Sequence, residues 1–217
     1  MLRILTILAV LLSGTASVAD ESSIAHTQEM IDRMFAGSYS TAVQVAAEQV
    51  ENVEEVDRYP LRHIVYARIV APHLGENVYF RQTREGGIEA PISSIGLVMF
   101  EPDVEANAVR VWLRQIINPE KYYDMHKSFH LWDDVVYDPE LGAKCPFYFR
   151  ADGDTVVGTM DGGRCEIFTN GGERMAFERH WVLSEDGLLI MDKAFAGDGT
   201  LLEGPLHIVP AEYKRLD

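Results

Sequence analysis

Positive charge is scarce in this sequence, and the shortage argues against polyanionic partners. The 217 residues include 19 Lys and Arg against 34 Asp and Glu, which gives a formal net charge of −15 at pH 7. Nucleic acids and anionic membrane surfaces attract proteins through excess positive charge, and this chain would be repelled by both. We therefore expect no nucleic-acid partner and attribute the acidity to solubility.

Cysteine is nearly absent, since only Cys145 and Cys165 occur. They form no Cys-x-x-Cys motif and have no His placed near both, so redox and zinc chemistry are disfavoured. His126 and His130 have the i, i+4 spacing of a helical metal pair, but no third ligand is close in sequence, and no metal site is predicted. Gly-x-Ser-x-Gly, a phosphate loop and a catalytic triad are also missing, so no catalytic residue is assigned.

Long apolar runs are missing beyond the N-terminus. The run over residues 4–12 is too short to span a bilayer comfortably, and no later stretch approaches about 20 apolar residues, so no membrane span is predicted. Arg3 precedes this run and the small residues Ser17-Val18-Ala19 follow it. This order is typical of a secretory signal peptide of residues 1–19, with cleavage before Asp20 and export to the periplasm or beyond.

Export changes the interpretation of the two cysteines. In an oxidising compartment a lone pair favours a disulfide, here between Cys145 and Cys165. A loop of this size would stabilise the fold by about 3 kcal/mol in the chain-entropy model. The remaining residues 20–217 fit a single domain.

Two regions follow the signal. Residues 25–50 are predicted to be helical, with Gly37-Ser38-Tyr39-Ser40 as a break and Ser40 capping a second helix whose apolar residues share one side. From Leu61 the pattern is β, interrupted by an irregular, partly helical insertion over residues 119–132. Tight turns join the strands, which indicates an antiparallel meander that closes into a barrel with room for one small ligand. About ten strands are predicted, at residues 62–70, 78–82, 95–100, 109–116, 147–149, 155–159, 164–169, 174–183, 188–195 and 206–209.

A series of short motifs runs through this pattern. In order and spacing it resembles the T-type phycobiliprotein chromophore lyases, the CpcT/CpeT family. The resemblance implies a mostly β, antiparallel calycin or lipocalin-like barrel that holds a linear tetrapyrrole, with no other cofactor, and delivers it to a cysteine of an acceptor protein. It also implies that the two cysteines face each other across neighbouring strands. The motifs are Phe35-x-Gly37-x-Tyr39-Ser40, Tyr79-x-x-Gln82, the strand after Cys145, Gly158-Thr159, Gly163-x-Cys165, Asp192 and Gly204-Pro205.

One departure bears on the ligand. The family's Pro-Tyr-Arg-x-Arg segment appears here as Pro91-Ile92-Ser93-Ser94-Ile95, without either arginine. A bilin carries two propionates, and arginine is their natural partner. The substitution therefore predicts weak bilin binding or none.

Seven residues are candidates for binding a ligand. Tyr79 and Arg81 share one face of a strand, as do Tyr148 and Arg150, and each pair would either line the barrel or point into solvent. Gln82 belongs to the Tyr79 motif. Trp181 would be a core or cavity-wall residue, and Asp192 would either stabilise a turn or take part in chemistry. The candidate set is Tyr79, Arg81, Gln82, Tyr148, Arg150, Trp181 and Asp192.

Two functions stay open from sequence. The first is a lyase-like protein that binds a linear tetrapyrrole and assists its attachment to an acceptor protein. The second is a non-enzymatic periplasmic calyx that binds another small apolar acid, or an envelope interaction module. The sequence does not decide between an enzyme and a binding protein, and it leaves a homodimer open.

The signal peptide gives the first testable prediction. N-terminal sequencing of exported protein should begin at or near Asp20, because Ser17-Val18-Ala19 places small residues before that bond. Recovery of uncleaved chain from the cytoplasm would contradict export and remove the main reason for expecting a disulfide.

Overall fold

A computed structural model gives the structure of this protein and describes residues 16–142, 145, 147–160, 163–168, 173–203 and 209–216. These described residues are mostly β, and they include two α-helices and four short 3-10 helices. The α-helices are α1 (Ala16–Met34) and α2 (Ala42–Val50), and the 3-10 helices are Glu55–Asp57, Pro119–Tyr122, Met125–Lys127 and Phe129–Leu131. The strands are β1 (Gly37–Ser40), β2 (Arg62–Ile69), β3 (Val78–Glu85), β4 (Ile92–Asp103), β5 (Ala108–Ile116), β6 (Tyr137–Gly142), β7 (Tyr148–Asp152), β8 (Thr155–Thr159), β9 (Cys165–Phe168), β10 (Arg174–Ser184), β11 (Gly187–Ala196), β12 (Leu201–Glu203) and β13 (Ala211–Arg215).

Ten of these strands form a closed antiparallel barrel. The order is β11-β13-β1-β2-β3-β4-β5-β7-β8-β10, and β10 pairs back onto β11 to close it. Closure removes the unpaired edges that an open sheet of this size would expose. The predicted fold class, an antiparallel lipocalin-like barrel of about ten strands with N-terminal helices, is confirmed.

Helix α1 fills one end of the barrel. Its apolar residues recur at helical spacing, so that Ile24, Met30, Ile31 and Met34 lie on one buried face against the inward side chains of the strands. Phe35 follows the helix and is fully buried. The ring centroids of Tyr66, Phe100 and Tyr79 lie 4.4, 4.9 and 5.2 Å from its own.

Strand β1 corrects one sequence-based prediction. Residues Gly37–Ser40 were expected to be a break between helices, but they pair with β2 and β13 as part of the barrel. The Tyr39 hydroxyl donates to the carbonyls of Met34 and Phe35 at 2.7 and 3.1 Å, and Arg215 also donates to Met34 O. These bonds satisfy the carbonyls that a helix end leaves without partners.

The predicted cap also differs from the structure. Helix α2 has Thr41 as its N-cap, with no side-chain capping bond from that residue, while the Ser40 hydroxyl accepts from Ala42 N at 3.1 Å. Of the strand predicted at residues 206–209, residues 206–208 lie outside the described part of the chain, and the strand that completes the barrel wall is β13.

A second hydrophobic core lies outside the barrel wall. The predicted insertion after β5 is three 3-10 helices, whose Tyr122 and Met125 pack on outward residues of β3 and β4 such as Phe80 and Leu97. These strands are consequently buried on both faces, which accounts for the nearly continuous apolar run from Ile95 to Phe100.

Close packing explains why residue 158 of the Gly158-Thr159 motif is a glycine. A Cβ atom there would lie 2.2 Å from Phe149 Cε1 and 2.7 Å from Phe147 Cζ. Real Cβ contacts do not come so close, so the aromatic rings occupy the space that any side chain would need.

Cys145 and Cys165 form the predicted disulfide, with their Cα atoms 5.7 Å apart. Cys145 lies just before β7, and β9 takes the place next to β10 beyond the end of β8, which brings Cys165 beside Cys145. Cys145 is 2% exposed and belongs to the barrel core. The bond therefore fastens β9, which pairs only with β10 among the described strands, to the barrel wall.

The disulfide gives a stability prediction. Replacing both residues in a Cys145→Ala, Cys165→Ala variant should lower the free energy of unfolding by about 3 kcal/mol, because the bond closes a loop with a sequence separation of 20. Urea unfolding measures this, with reduced wild-type protein as the matched control. Equal midpoints for oxidised and reduced wild type would show that the bond contributes nothing.

Candidate ligand-binding site

The end of the barrel that α1 leaves open contains a cavity of about 570 Å³. Its walls come from inward side chains of β2, β3, β10, β11 and β13, and residues 57–60 contribute to its rim. Clefts of a few hundred Å³ with apolar walls and a few polar groups are the usual form of small-ligand sites.

Four arginines line this cavity, and in the described part of the chain three of them keep a buried N–H group without a hydrogen-bond acceptor, while Arg58 donates from Nε to Val53 O. These groups are the Nε atoms of Arg62 and Arg81 and the Nη1 atom of Arg179. Arg62 Nη2 lies 3.0 Å from Glu85 Oε1, and Arg179 Nε lies 2.8 Å from Asp192 Oδ1. Unsatisfied buried donors cost free energy, so an acceptor that a ligand brings to this cavity could satisfy three of them at once.

Arg81 differs from the other two arginines. It forms no hydrogen bond or ion pair with another side chain in the part of the chain that the structure describes, although acids outnumber bases 34 to 19. Gly96 is its neighbour on β4, and a Cβ atom there would lie 3.6 Å from Arg81 Nη2 and 2.9 Å from Arg114 O. The missing side chain at Gly96 leaves room for the guanidinium to lie against the wall.

Two buried phenols, Tyr66 and Tyr213, line the cavity near these arginines. Burial raises the pKa of the Tyr66 phenol, and the positive charge of Arg81 acts against that rise. Burial also raises the pKa of the Tyr213 phenol, with Arg62 and Arg81 acting against it. Both phenols are therefore neutral at physiological pH and can donate or accept a hydrogen bond.

Asp192 organises the opposite wall. It faces Arg179 directly across the β10–β11 pair, and Trp181 lies two residues further along the same face of β10. A single carboxylate oxygen, Oδ1, accepts from Arg179 Nε and Trp181 Nε1, both at 2.8 Å. The carboxylate thereby fixes the indole of Trp181, which is 2% exposed, and the guanidinium of Arg179 in the cavity wall.

Three of the seven candidate residues meet at this cavity, namely Arg81, Trp181 and Asp192. Tyr79 faces inward as well, which settles the open orientation of the Tyr79–Arg81 pair, but it lies under α1. Its hydroxyl donates to Asp32 Oδ1 at 3.0 Å, so it fastens the helix to β3.

The remaining candidates lie on the outer surface of the barrel. Gln82 Nε2 donates to Asp124 Oδ1 at 3.0 Å, and Gln82 Oε1 accepts from Asp124 N at 2.8 Å, which holds the insertion on β3. Tyr148 packs beneath the guanidinium of Arg110, whose Cζ atom lies 5.6 Å from the centroid of the phenol ring. Arg150 donates to Ala106 O at 2.9 Å. These contacts give Gln82, Tyr148 and Arg150 structural partners away from the cavity.

Sequence reasoning missed Arg62, Tyr66, Arg179 and Tyr213. The alternation Arg62, Ile64, Tyr66 on β2 puts all three on one face, and the apolar members mark that face as inward. Arg179 shares its face with Trp181 in the same way. Tyr213 could not be assigned because the last strand was predicted in residues 206–209.

The positions of the two missing family arginines do not line the cavity. Ser93 lies at an irregularity in the β3–β4 pairing and donates from its hydroxyl to Thr83 O at 3.1 Å. Ile95 is 7% exposed in the outer core. The absence of arginine at these positions therefore has no direct effect on the charge of this cavity. The family motif Gly204-Pro205 lies outside the described residues.

Two further observations concern the described residues alone. No group of three or more His, Cys, Asp or Glu side chains among them is arranged to hold a metal ion. No helix in the same part of the chain has the length and apolar character needed to cross a membrane.

The Asp192 arrangement can be tested directly. Asp192→Ala removes the acceptor of two donors, Trp181 Nε1 and Arg179 Nε, and should lower the free energy of unfolding by about 1–3 kcal/mol. The tryptophan emission of the protein, to which Trp181 contributes with two other tryptophans, should shift as the Trp181 indole loses a charged partner. Urea unfolding and tryptophan fluorescence measure these effects, and Asp154→Ala, in the exposed turn after β7, is the matched control. Unchanged emission and stability would show that the Asp192 contacts are not made in solution.

Comparison with known proteins supports the fold. No protein-family model matches the sequence, and no curated protein matches it. The solved structure of the selenomethionine form of the CRL protein of Arabidopsis is similar, with a TM-score of 0.62 over 88% of this chain and 98% of that chain. The two sequences are 14% identical over the match, so the likeness shows a shared barrel fold.

Proposed function

We propose that this protein binds a linear tetrapyrrole in the open end of its barrel and presents it to a cysteine of an acceptor protein. The observation that carries the proposal is the Arg81 guanidinium, which faces an aromatic-walled cavity without an acid partner among the described residues. A carboxylate on the ligand would complete its hydrogen bonds, and such charge-assisted bonds are the strong ones. The family resemblance in the motifs supplies the identity of the ligand.

The chemistry assigned to the protein is mainly positioning. The barrel would hold the ethylidene group of the ligand toward the acceptor thiol. The acceptor thiol gives up its proton as its sulfur forms a bond to the ethylidene carbon. The electron pair of the double bond moves to the neighbouring ring carbon, and that carbon takes up a proton, so the addition is redox-neutral. Both cysteines of this chain are in the disulfide, so neither offers a free thiol for a covalent intermediate, and the proposal involves none.

A specific observation favours a second candidate, a calyx for an apolar acid with one carboxylate. A bilin brings two propionates, whereas Glu85 and Asp192 already engage Arg62 and Arg179. Among the three arginines with unsatisfied buried donors, Arg81 alone lacks an acid partner in the described residues, which matches a single carboxylate. Binding measurements with ligands of both kinds separate the two candidates.

The ligand proposal predicts a role for Arg81. Phycocyanobilin should gain a sharpened and shifted visible absorption on mixing with the wild-type protein. Arg81→Ala should weaken binding by roughly tenfold to a hundredfold, because a charge-assisted bond where water is excluded contributes about 1.5–3 kcal/mol. The dimethyl ester of the bilin should bind wild type and Arg81→Ala alike, since it lacks the carboxylates that Arg81 would meet.

Arg114→Ala is the matched control, because Arg114 stacks on Trp112 at 4.4 Å on the outer face of β5, and its affinity for the bilin should equal that of wild type. Equal binding of the free acid by wild type and Arg81→Ala would refute the carboxylate contact. Binding of a long-chain fatty acid without any binding of the bilin would select the second candidate.

A further inference from the structure

Helix α2 exposes an apolar face to solvent, whereas an ordinary surface helix packs its apolar face against the core. Four of its six apolar residues, Val43, Ala46, Ala47 and Val50, have the i, i+3, i+4, i+7 spacing that normally faces a core. All four are exposed, Val43 at 56% and Val50 at 80%, and the helix has no buried residue. We call these four residues the α2 stripe.

Polar side chains attach the helix to the barrel instead. Gln44 Oε1 accepts from Glu212 N at 2.7 Å, and Gln44 Nε2 donates to Pro210 O at 3.4 Å. Glu48, one turn further on, accepts from Tyr59 N at 2.9 Å. These bonds fix the rotation of the helix, so the α2 stripe faces solvent because the side that carries Gln44, Val45 and Glu48 is held inward.

The charges around the α2 stripe indicate what would cover it. No Lys or Arg occurs between Arg33 and Arg58, whereas Glu48, Glu51, Glu54, Glu55 and Asp57 fall in that interval. Glu51, Glu54 and Glu55 are exposed. A second copy of the chain would bring its own acids against these, and an anionic membrane would be repelled. A segment with an apolar face flanked by Lys or Arg satisfies both the α2 stripe and its acidic border.

The same surface continues into the rim of the cavity. Tyr59 lines the cavity, is hydrogen-bonded through its backbone to Glu48 of α2, and donates from its hydroxyl to Val209 O. A partner on the α2 stripe would therefore lie next to the opening through which a ligand enters or leaves.

We infer that the α2 stripe with its acidic border is the docking surface for a basic amphipathic helix of a partner protein. The inference rests on the proposed function for its purpose, which is to bring an acceptor to the cavity mouth, and the docking itself is testable without any ligand.

The probe is a fluorescent synthetic helix with one Leu face and one Lys face. Wild-type protein should bind it, measured by fluorescence anisotropy, and added salt should weaken the complex. A Val43→Ser, Val50→Ser variant should bind roughly tenfold more weakly or worse, because two apolar side chains are lost from the contact. The matched control is Val70→Ser, Val104→Ser, which changes two valines of similar exposure, 69% and 62%, away from the helix, and it should bind like wild type.

Three results would overturn the inference. The first is equal binding by wild type and the stripe variant, or no binding by wild type. The second is a homodimer, seen by light scattering, that the stripe variant abolishes, which would make a second copy the occupant. The third is peptide binding that appears only after residues 1–19 are removed, which would make that segment the occupant.

Failure of the proposed function gives a different pattern. The stripe variant should bind phycocyanobilin with the same affinity as wild type, because its changed residues do not line the cavity. No bilin binding by wild type, with its peptide binding intact, would refute the ligand proposal and leave the docking surface standing.

Discussion

A ten-stranded barrel encloses more space than its own inward side chains can fill, and the remaining structure follows from that constraint. Helix α1 supplies the missing volume at one end, where it packs around Phe35. Several polar contacts hold the helix there. Tyr39 and Arg215 bind its last carbonyls, and Tyr79 bonds to Asp32 on its side. The other end has no such filling among the described residues, and the cavity is the space left over.

The polar groups of the cavity are arranged unevenly. On the β10–β11 wall, Asp192 holds Arg179 and Trp181 in fixed positions through one oxygen. On the β3 wall, Arg81 has space beside Gly96 but no acid partner in the described chain. A preorganised wall facing an unsatisfied cation is an arrangement that lowers the entropy cost of binding an anionic molecule. The order of the β10–β11 wall comes from contacts within the protein.

The sequence was informative where periodicity and turns determine structure. Alternating strands and tight turns predicted the barrel, and the two cysteines with a signal-like N-terminus predicted the disulfide. The orientation of single residues was harder, because Tyr79 and Gln82 share one motif but point to opposite faces of β3. Burial on both faces of β3 and β4 removes the apolar–polar alternation that would have separated them. The α2 stripe was recognised as an apolar face, but only the Gln44 bonds reveal that it points outward.

The outer core makes local opening more costly on the β3–β4 side of the barrel than on the β10–β11 side. Strands β3 and β4 are packed from inside and outside, whereas the outward side chains of β10, such as Glu178 and His180, are partly open to solvent. Local opening is least costly where fewer buried contacts must be broken. Amide hydrogens of β10 and β11 should therefore exchange with solvent sooner than those of β3 and β4. If a molecule larger than the cavity enters, the β10–β11 wall with Trp181 and Asp192 would then be displaced first. The β3 wall with Arg81 would keep its position.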